Sequence, residues 1–145
     1  MLKNLLISIR PYQWAKNVLV FAALFFSLSF LDIQSVKLSL AAFISFCLMS
    51  SGVYLLNDIK DRHADKLHPS KKFRPIASGA FAVKHAAVFL TLFLTGGLLI
   101  GYSINLSFFL LISFYALMNF AYSMGLKMVV LVDVMIVATG FLLRA

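Results

Sequence analysis

The sequence predicts an all-α membrane protein, a polytopic bundle of about five transmembrane helices. Hydrophobic residues make up 62% of the 145-residue chain and charged residues only 12%, which lies far outside the range of soluble globular domains. The apolar residues also run in long continuous stretches, without the strict alternation of strands in a membrane barrel. Both observations favour helices that have the bilayer as their solvent.

Five apolar stretches contain few or no charges each, and they cover residues 18–31, 38–56, 86–104, 106–122 and 128–143. A helix rises 1.5 Å per residue, so a stretch of about 19 residues covers roughly 28 Å, close to the hydrocarbon thickness of a bilayer. The first stretch is the shortest of the five. We therefore expect five helices, all within a single domain over residues 1–145.

The positive charges are distributed unevenly between the two predicted sides of the membrane. Lys3, Arg10 and Lys16 precede the first stretch, and seven Lys or Arg residues lie in the connection after the second. The connections on the other side contain only Lys37. The positive-inside rule therefore predicts that the N-terminus and the connection at about residues 57–85 are cytoplasmic.

The formal net charge is +8, which indicates contact with anionic lipid or with phosphate groups. The expected partners are the membrane and phosphate-bearing small molecules, with no nucleic acid. Arg144, at the far end of the last stretch, is expected to extend its side chain to the membrane interface.

The connection at residues 57–85 is much longer than the others and carries ten of the charged residues. Three of the five acidic residues, Asp58, Asp61 and Asp65, stand at its start. With no Pro or Gly before Pro69, the preceding helix is expected to continue through them, which places the three carboxylates on one helix face beside Asn57. Carboxylates that converge near a membrane favour a cation partner, and hard oxygen ligands favour Mg²⁺.

A second interpretation of these aspartates is a solvated helix end. Asp58 would then pair with Arg62, and Asp61 with Lys60 or Lys66.

Lys71, Lys72 and Arg74 follow the aspartates and precede Pro75 and Gly79, residues that favour a turn. Three cations beside three carboxylates would complement a diphosphate held through a metal ion. Anionic lipid headgroups are the alternative partners for these cations.

The motif Asn57-Asp58-x-x-Asp61-x-x-x-Asp65, followed by Arg74-Pro75-Ile76-Ala77-Ser78-Gly79, resembles the first signature of the UbiA prenyltransferase superfamily. Three further segments resemble its decaprenyl-phosphate phosphoribosyltransferase branch. They are Arg10-Pro11-Tyr12-Gln13-Trp14-Ala15-Lys16-Asn17, His68-Pro69-Ser70-Lys71-Lys72-Phe73-Arg74-Pro75 and Tyr122-Ser123-Met124-Gly125-Leu126-Lys127.

The resemblance implies half of a nine-helix bundle in which two aspartate motifs grip a magnesium-diphosphate, with the second motif supplied by a C-terminal half. It implies that Asp58, Asp61 and Asp65 are metal ligands, with Asp58 and Asp61 catalytic. The substrate-binding residues that it implies are Arg10, Lys16, Asn57, Lys72, Arg74, Tyr122 and Lys127.

The reaction implied is transfer of 5-phosphoribose from phosphoribosyl diphosphate to a polyprenyl phosphate in the plasma (inner) membrane of a prokaryote. One alternative is a UbiA-type prenyltransferase that joins a prenyl diphosphate to an aromatic or haem acceptor. Another is an inactive, truncated membrane module. Since only one of the two motifs is present, the 145-residue chain by itself is expected to be catalytically silent.

Overall fold

The computed structural model describes residues 1–126 and 129–145, which form a helical bundle and confirm the all-α prediction. The α-helices are α1 (Leu2–Ile9), α2 (Ala22–Phe26), α3 (Ile33–Lys60), α4 (Arg62–Leu67), α5 (Val83–Ile104), α6 (Leu106–Met124) and α7 (Val130–Leu142). Short 3₁₀ segments cover Ser29–Leu31 and Lys71–Phe73, and a longer one covers Pro11–Phe21.

Helix α3 is the central element and packs along α5. Small residues allow the two backbones to approach closely, as is common between membrane helices. A Cβ atom at Gly97 would lie 3.1 Å from the Ser45 carbonyl oxygen, and the Ser45 hydroxyl donates a 2.8 Å hydrogen bond to the Gly97 carbonyl. A Cβ atom at Gly52 would lie 2.8 Å from the Leu94 side chain.

Within the described part of the chain, three helices are long and apolar enough to cross a membrane: α3, α5 and α6. They correspond to three of the five apolar stretches. Helix α7 has only 13 residues. The first stretch is not one helix, because the chain passes from a 3₁₀ segment into α2 and then reverses at Leu28, whose φ of 54° is left-handed. No glycine marks this break in the sequence.

The long connection is folded against the bundle. Its backbone turns where the Phe81 amide donates to the Pro75 carbonyl at 2.9 Å, and the Ile76 and Phe81 side chains are buried. The Asn4 side chain donates to the Ala80 carbonyl at 2.6 Å and so ties α1 to this connection. The residues that follow Arg74 are therefore held against α1 and α3.

We call the end of the bundle where α3 ends and α5 begins the aspartate end. Helix α3 was expected to continue to Asp65, but it ends at Lys60, and α4 begins after a break at Asp61. The Asp65 amide still donates to the Asp61 carbonyl at 2.8 Å, so the break changes the direction of the chain only locally.

Candidate functional site

Two buried aspartates share one arginine at the aspartate end. A single guanidinium nitrogen of Arg74, Nη1, donates to Asp58 Oδ1 at 3.2 Å and to Asp65 Oδ2 at 2.8 Å. Arg10 Nη2 donates to the same Asp58 oxygen at 2.7 Å. Asp58 is 2% exposed and Asp65 3%. The two arginines thus balance two carboxylates that have little access to solvent.

Arg10 reaches Asp58 from an unusual backbone conformation. Its φ of 52° and ψ of 63° are left-handed, a region that residues other than glycine adopt uncommonly. Such strain costs on the order of 1 to 3 kcal/mol and persists where surrounding contacts over-determine it. Here the contacts are the ion pair with Asp58 and the ring of Tyr54, whose centroid lies 4.9 Å from the guanidinium carbon.

The structure brings Asp58 and Asp65 together but separates Asp61 from their shared arginine. Asp61 lies near the Tyr122 side chain, as does Asp133 at the start of α7. Within residues 1–126 and 129–145, no three His, Cys, Asp or Glu side chains are grouped closely enough to hold a metal ion. The pairing of Asp58 with Arg62, expected for a solvated helix end, is wrong because Asp58 is buried against Arg10 and Arg74.

A cavity of about 160 Å³ reaches Tyr54, which contacts Arg10, and Asn57, which precedes Asp58 in the chain. Three of the predicted substrate-binding residues, Lys16, Asn57 and Tyr122, line it. The Asn57 side-chain oxygen accepts a 2.5 Å hydrogen bond from the Ser123 hydroxyl, which fixes the orientation of the amide.

The other predicted substrate-binding residues fall elsewhere. Arg10 and Arg74 belong to the aspartate cluster. Lys72 is exposed and lies 5.2 Å from the centroid of the Phe73 ring, outside the cluster. Lys127 lies outside the described residues.

Comparison with known proteins identifies the family that has this arrangement of helices. The model of the UbiA prenyltransferase family matches residues 18–145. The chain belongs to the UbiA prenyltransferase family.

Similar UbiA-family proteins include two named decaprenyl-phosphate phosphoribosyltransferase. The one from Mycolicibacterium smegmatis is 36% identical over all of this chain and 47% of its own length. The one from Mycobacterium tuberculosis is 38% identical over 95% of this chain and 47% of its own length. The chain therefore spans about half the length of these relatives.

A solved structure supports the fold. A UbiA homologue from Archaeoglobus fulgidus, bound to DMAPP and Mg²⁺, superposes with a TM-score of 0.79 at 23% identity and is matched over 51% of its chain. Family membership and three helices of membrane-spanning length make this chain an integral membrane protein.

The donor atoms at the aspartate end of this UbiA-family chain are chemically suited to Mg²⁺. Carboxylate and amide oxygens are the hard ligands that Mg²⁺ prefers, and Mg²⁺ usually takes only one or two carboxylates together with substrate phosphates and water. Asp58 and Asp65 already share one cationic nitrogen, which means that their oxygens converge on a single positive centre. The residues present therefore fit the ion, although they form only part of its coordination shell.

Arg144 does not extend to the membrane interface as expected. Its Nε donates to the Asn17 side-chain oxygen at 2.7 Å, its Nη2 donates to the Tyr115 hydroxyl at 2.9 Å, and its Nη1 donates to the Gly140 carbonyl. The guanidinium also lies near the aromatic rings of Phe46, Tyr115 and Phe141. These neutral groups surround a guanidinium that remains partly exposed, and they take over part of the solvation that water would give an extended side chain.

Sequence reasoning missed the hydrogen bonds that Arg144 makes within the bundle. It also missed Asn119 and Tyr115 as residues that line the cavity. One signal was available, because an ionisable residue that borders an apolar membrane stretch is a candidate functional group. Its partners could not be named, because Asn17 and Tyr115 are distant in sequence.

Proposed function

We propose that this chain forms one wall of the active site of a membrane transferase that binds a diphosphate donor through Mg²⁺. The observation that carries the proposal is the aspartate cluster, in which Asp58 and Asp65 are buried and share Arg74 beside Arg10. Buried carboxylates paired with arginines at a cavity are suited to exchange partners with an anionic ligand and its metal ion.

The donor we propose is 5-phosphoribosyl 1-diphosphate, and the acceptor is a polyprenyl phosphate. The relatives at 36% and 38% identity are named for this class of reaction. The homologue bound to DMAPP and Mg²⁺ is less similar, at 23% identity, which supports the fold but not a prenyl donor. Prenyl transfer to an aromatic or haem acceptor is therefore the competing outcome of the reconstituted transfer assay.

In this proposal Asp58 and Asp65 would hold the metal ion from the positions that they occupy here. Asp61 would join them by turning toward the ion when the diphosphate binds, and Asn57 would orient the carboxylates. Arg10 and Arg74 leave their carboxylate partners in part and pair with diphosphate oxygens, which is the bidentate contact that guanidinium groups favour. Bound Mg²⁺ would supply charge neutralisation for the departing diphosphate.

The reaction breaks the bond between the anomeric carbon and the diphosphate oxygen, and the diphosphate leaves with the electron pair. A phosphate oxygen of the acceptor forms the new bond to that carbon. The acceptor phosphate is already anionic, so no protein base is required, and the residues act through positioning and electrostatic stabilisation.

We propose that the aspartate end faces the cytoplasm of a prokaryote, where the soluble donor is available, and that the acceptor reaches the cavity from the bilayer. The distribution of Lys and Arg supports this orientation. The opposite wall, with a second aspartate motif, would come from a C-terminal half that corresponds to the remaining length of the relatives.

The test is reconstitution in nanodiscs with and without a co-expressed C-terminal half of a related enzyme. Transfer of labelled phosphoribose to a polyprenyl phosphate is measured, with prenyl transfer from a prenyl diphosphate in parallel. We expect magnesium-dependent phosphoribosyl transfer by the two halves together and none by this chain alone.

The Asp58→Asn and Asp61→Asn variants should each lose at least about 100-fold in rate, the range found when one preorganised electrostatic contact is removed. Asp32→Asn, at the opposite end of α3, is the matched control and should keep full activity. Normal magnesium-dependent turnover in both site variants would contradict the proposal. Prenyl transfer without phosphoribosyl transfer would show that the donor is a prenyl diphosphate.

A further inference from the structure

Another charged site among the described residues surrounds Arg144. We call Arg144 and its three hydrogen-bond partners, Asn17, Tyr115 and Gly140, the Arg144 cluster. Its partners come from the 3₁₀ segment, α6 and α7, so the guanidinium lies at the point where these three elements meet. A guanidinium has five N–H donors, and these contacts use three of its nitrogen atoms once each.

The Arg144 cluster lies deep in the bundle. Phe46, near the middle of α3, and Tyr115, near the middle of α6, both contact the guanidinium. In the described part of the chain, the ion pairs involve Asp58 and Asp65 with Arg10 and Arg74, and none involves Arg144. Ionisable groups at such depth are costly and generally serve a ligand pathway or a binding site.

The cavity gives this charge access to a ligand. Arg144 and Lys16 both line it, together with hydroxyl and amide groups of Tyr54, Tyr115 and Asn119. None of its described lining residues is acidic. Asp133 and Asp61 lie near Tyr122, but neither lines the cavity. The two cations that line it, beside several neutral donors, make it complementary to an anion.

We propose that Arg144 and Lys16 bind a phosphate monoester at a second anion site, deeper than the aspartate cluster. Ser50 and Asn57 both line the cavity, and seven residues of helix separate them by roughly 10 Å along α3. The cavity thus extends from the level of the aspartates to the level of the Arg144 cluster. A guanidinium and an ammonium around one phosphate supply charge-assisted hydrogen bonds.

Two substrates of the proposed reaction carry such a group, and in this respect the assignment rests on the proposed function. One is the donor, whose ribose bears a phosphate at the end opposite the diphosphate. The other is the polyprenyl phosphate acceptor. The two sources share the same chemistry and differ in whether the phosphate ester is a sugar or a lipid.

The experiment measures binding to the 145-residue chain in nanodiscs by calorimetry, with EDTA present. The probes are ribose 5-phosphate and farnesyl phosphate, with ribose and farnesol as their neutral counterparts. Neither probe carries a diphosphate and no magnesium is present, so the result does not depend on the aspartate site. Failure of the proposed transfer reaction would leave this measurement unaffected.

We expect one of the two phosphates to bind saturably and its neutral counterpart not to bind. Binding should weaken about tenfold or more in Arg144→Gln and in Lys16→Gln, the loss expected for one charge-assisted hydrogen bond. Lys16 is exposed and makes no hydrogen bond to the described residues, so its variant should fold normally. Lys84→Gln removes an exposed cation outside the cavity and is the matched control.

Binding of ribose 5-phosphate would assign the site to the donor, and binding of farnesyl phosphate would assign it to the acceptor. If neither phosphate binds more tightly than its neutral counterpart, the proposal is overturned. Equal affinities in the native chain, Lys16→Gln and Lys84→Gln would overturn it as well.

Discussion

The chain places arginines in two contrasting environments. At the aspartate end, Arg10 and Arg74 face the carboxylates of Asp58 and Asp65, and the four charges cancel. In the Arg144 cluster, one guanidinium is held by an amide, a hydroxyl, a carbonyl and aromatic rings. The first site is electrically balanced, and the second carries a net positive charge.

This difference indicates how each site would receive an anion. At a balanced site, an incoming diphosphate must displace existing ion pairs, and it needs a metal ion to satisfy the carboxylates that it leaves behind. At the Arg144 cluster, an anion adds the missing counter-charge without breaking an ion pair. In our proposals, a ligand anion would therefore exchange partners with existing ion pairs at the aspartate end, whereas at the Arg144 cluster it would supply a counter-charge that is missing.

The largest effect expected is the labelling of a cysteine from one side of the membrane only. The aspartate end receives a soluble donor in our proposal, so it should border the cytoplasm. In a Cys47→Ser background, Ser70→Cys should react with an impermeant thiol reagent only after cells are permeabilised. Cysteine labelling and mass spectrometry of the purified chain provide the measurement. Labelling of Ser70→Cys in intact cells would reverse the orientation.

Ser103→Cys is the matched control for this experiment. Ser103 is exposed near the end of α5, at the face opposite Ser70, and its cysteine variant should be labelled in intact cells.

The next effect should come from removing the shared arginine. Arg74→Ala leaves Asp58 and Asp65 without their common partner, and breaking a buried ion pair costs about 3 to 5 kcal/mol. The Arg74 side chain is 28% exposed, so water would replace part of the contact and we expect a loss of about 2 kcal/mol in the free energy of unfolding. Unfolding in mixed detergent micelles, followed by circular dichroism, measures it.

Arg62→Ala is the control for Arg74→Ala, because Arg62 belongs to the same connection but hydrogen-bonds to the exposed His63 at 3.0 Å. It should cost less than about 0.5 kcal/mol, as is usual for surface substitutions. Equal losses in the two variants would show that the shared arginine does not stabilise the fold.

The sequence predicts the long helices and part of the aspartate end, but it does not predict the Arg144 cluster. The three long apolar stretches that form α3, α5 and α6 follow from composition, and the spacing of Asp58 and Asp65 places them on one helix face. The pairing of Asp58 with Arg10 depends on the left-handed backbone of Arg10, which no glycine indicates. The Arg144 cluster joins residues up to 127 positions apart, and local periodicity carries no information about such contacts.

A smaller effect on stability is expected when the unbalanced charge is removed. Arg144→Met eliminates a charge whose cost at membrane depth is about 2.5 to 3.5 kcal/mol by insertion scales. It also leaves the Asn17 and Tyr115 oxygens without their donor, at about 1 to 3 kcal/mol each. These terms nearly cancel, so the free energy of unfolding should change by no more than about 1 kcal/mol.

The measurement is the same as for Arg74→Ala, and Arg144→Lys serves as the control that retains the charge. A loss for Arg144→Met as large as that for Arg74→Ala would mean that the Arg144 cluster is chiefly structural.

The smallest effect concerns Asp32, an exposed aspartate that caps α3 at the end opposite Asp58. Its carboxylate accepts hydrogen bonds from the Ser35 hydroxyl at 2.6 Å and from the Ser35 amide at 2.9 Å. These contacts, led by the hydroxyl, lower the pKa of Asp32 below its ordinary value. A lowered pKa means that the charged cap stabilises the fold above the unfolded-state pKa of about 4 and loses that contribution as the pH falls through the folded-state value.

The melting temperature of Asp32→Ala should therefore be slightly below that of the native chain at pH 7, and the difference should shrink on acidification. Asp32→Asn keeps a neutral cap that does not titrate at this position, so its melting temperature should vary less with pH in this range. A difference between the native chain and Asp32→Ala that grows as the pH falls would contradict the capping role.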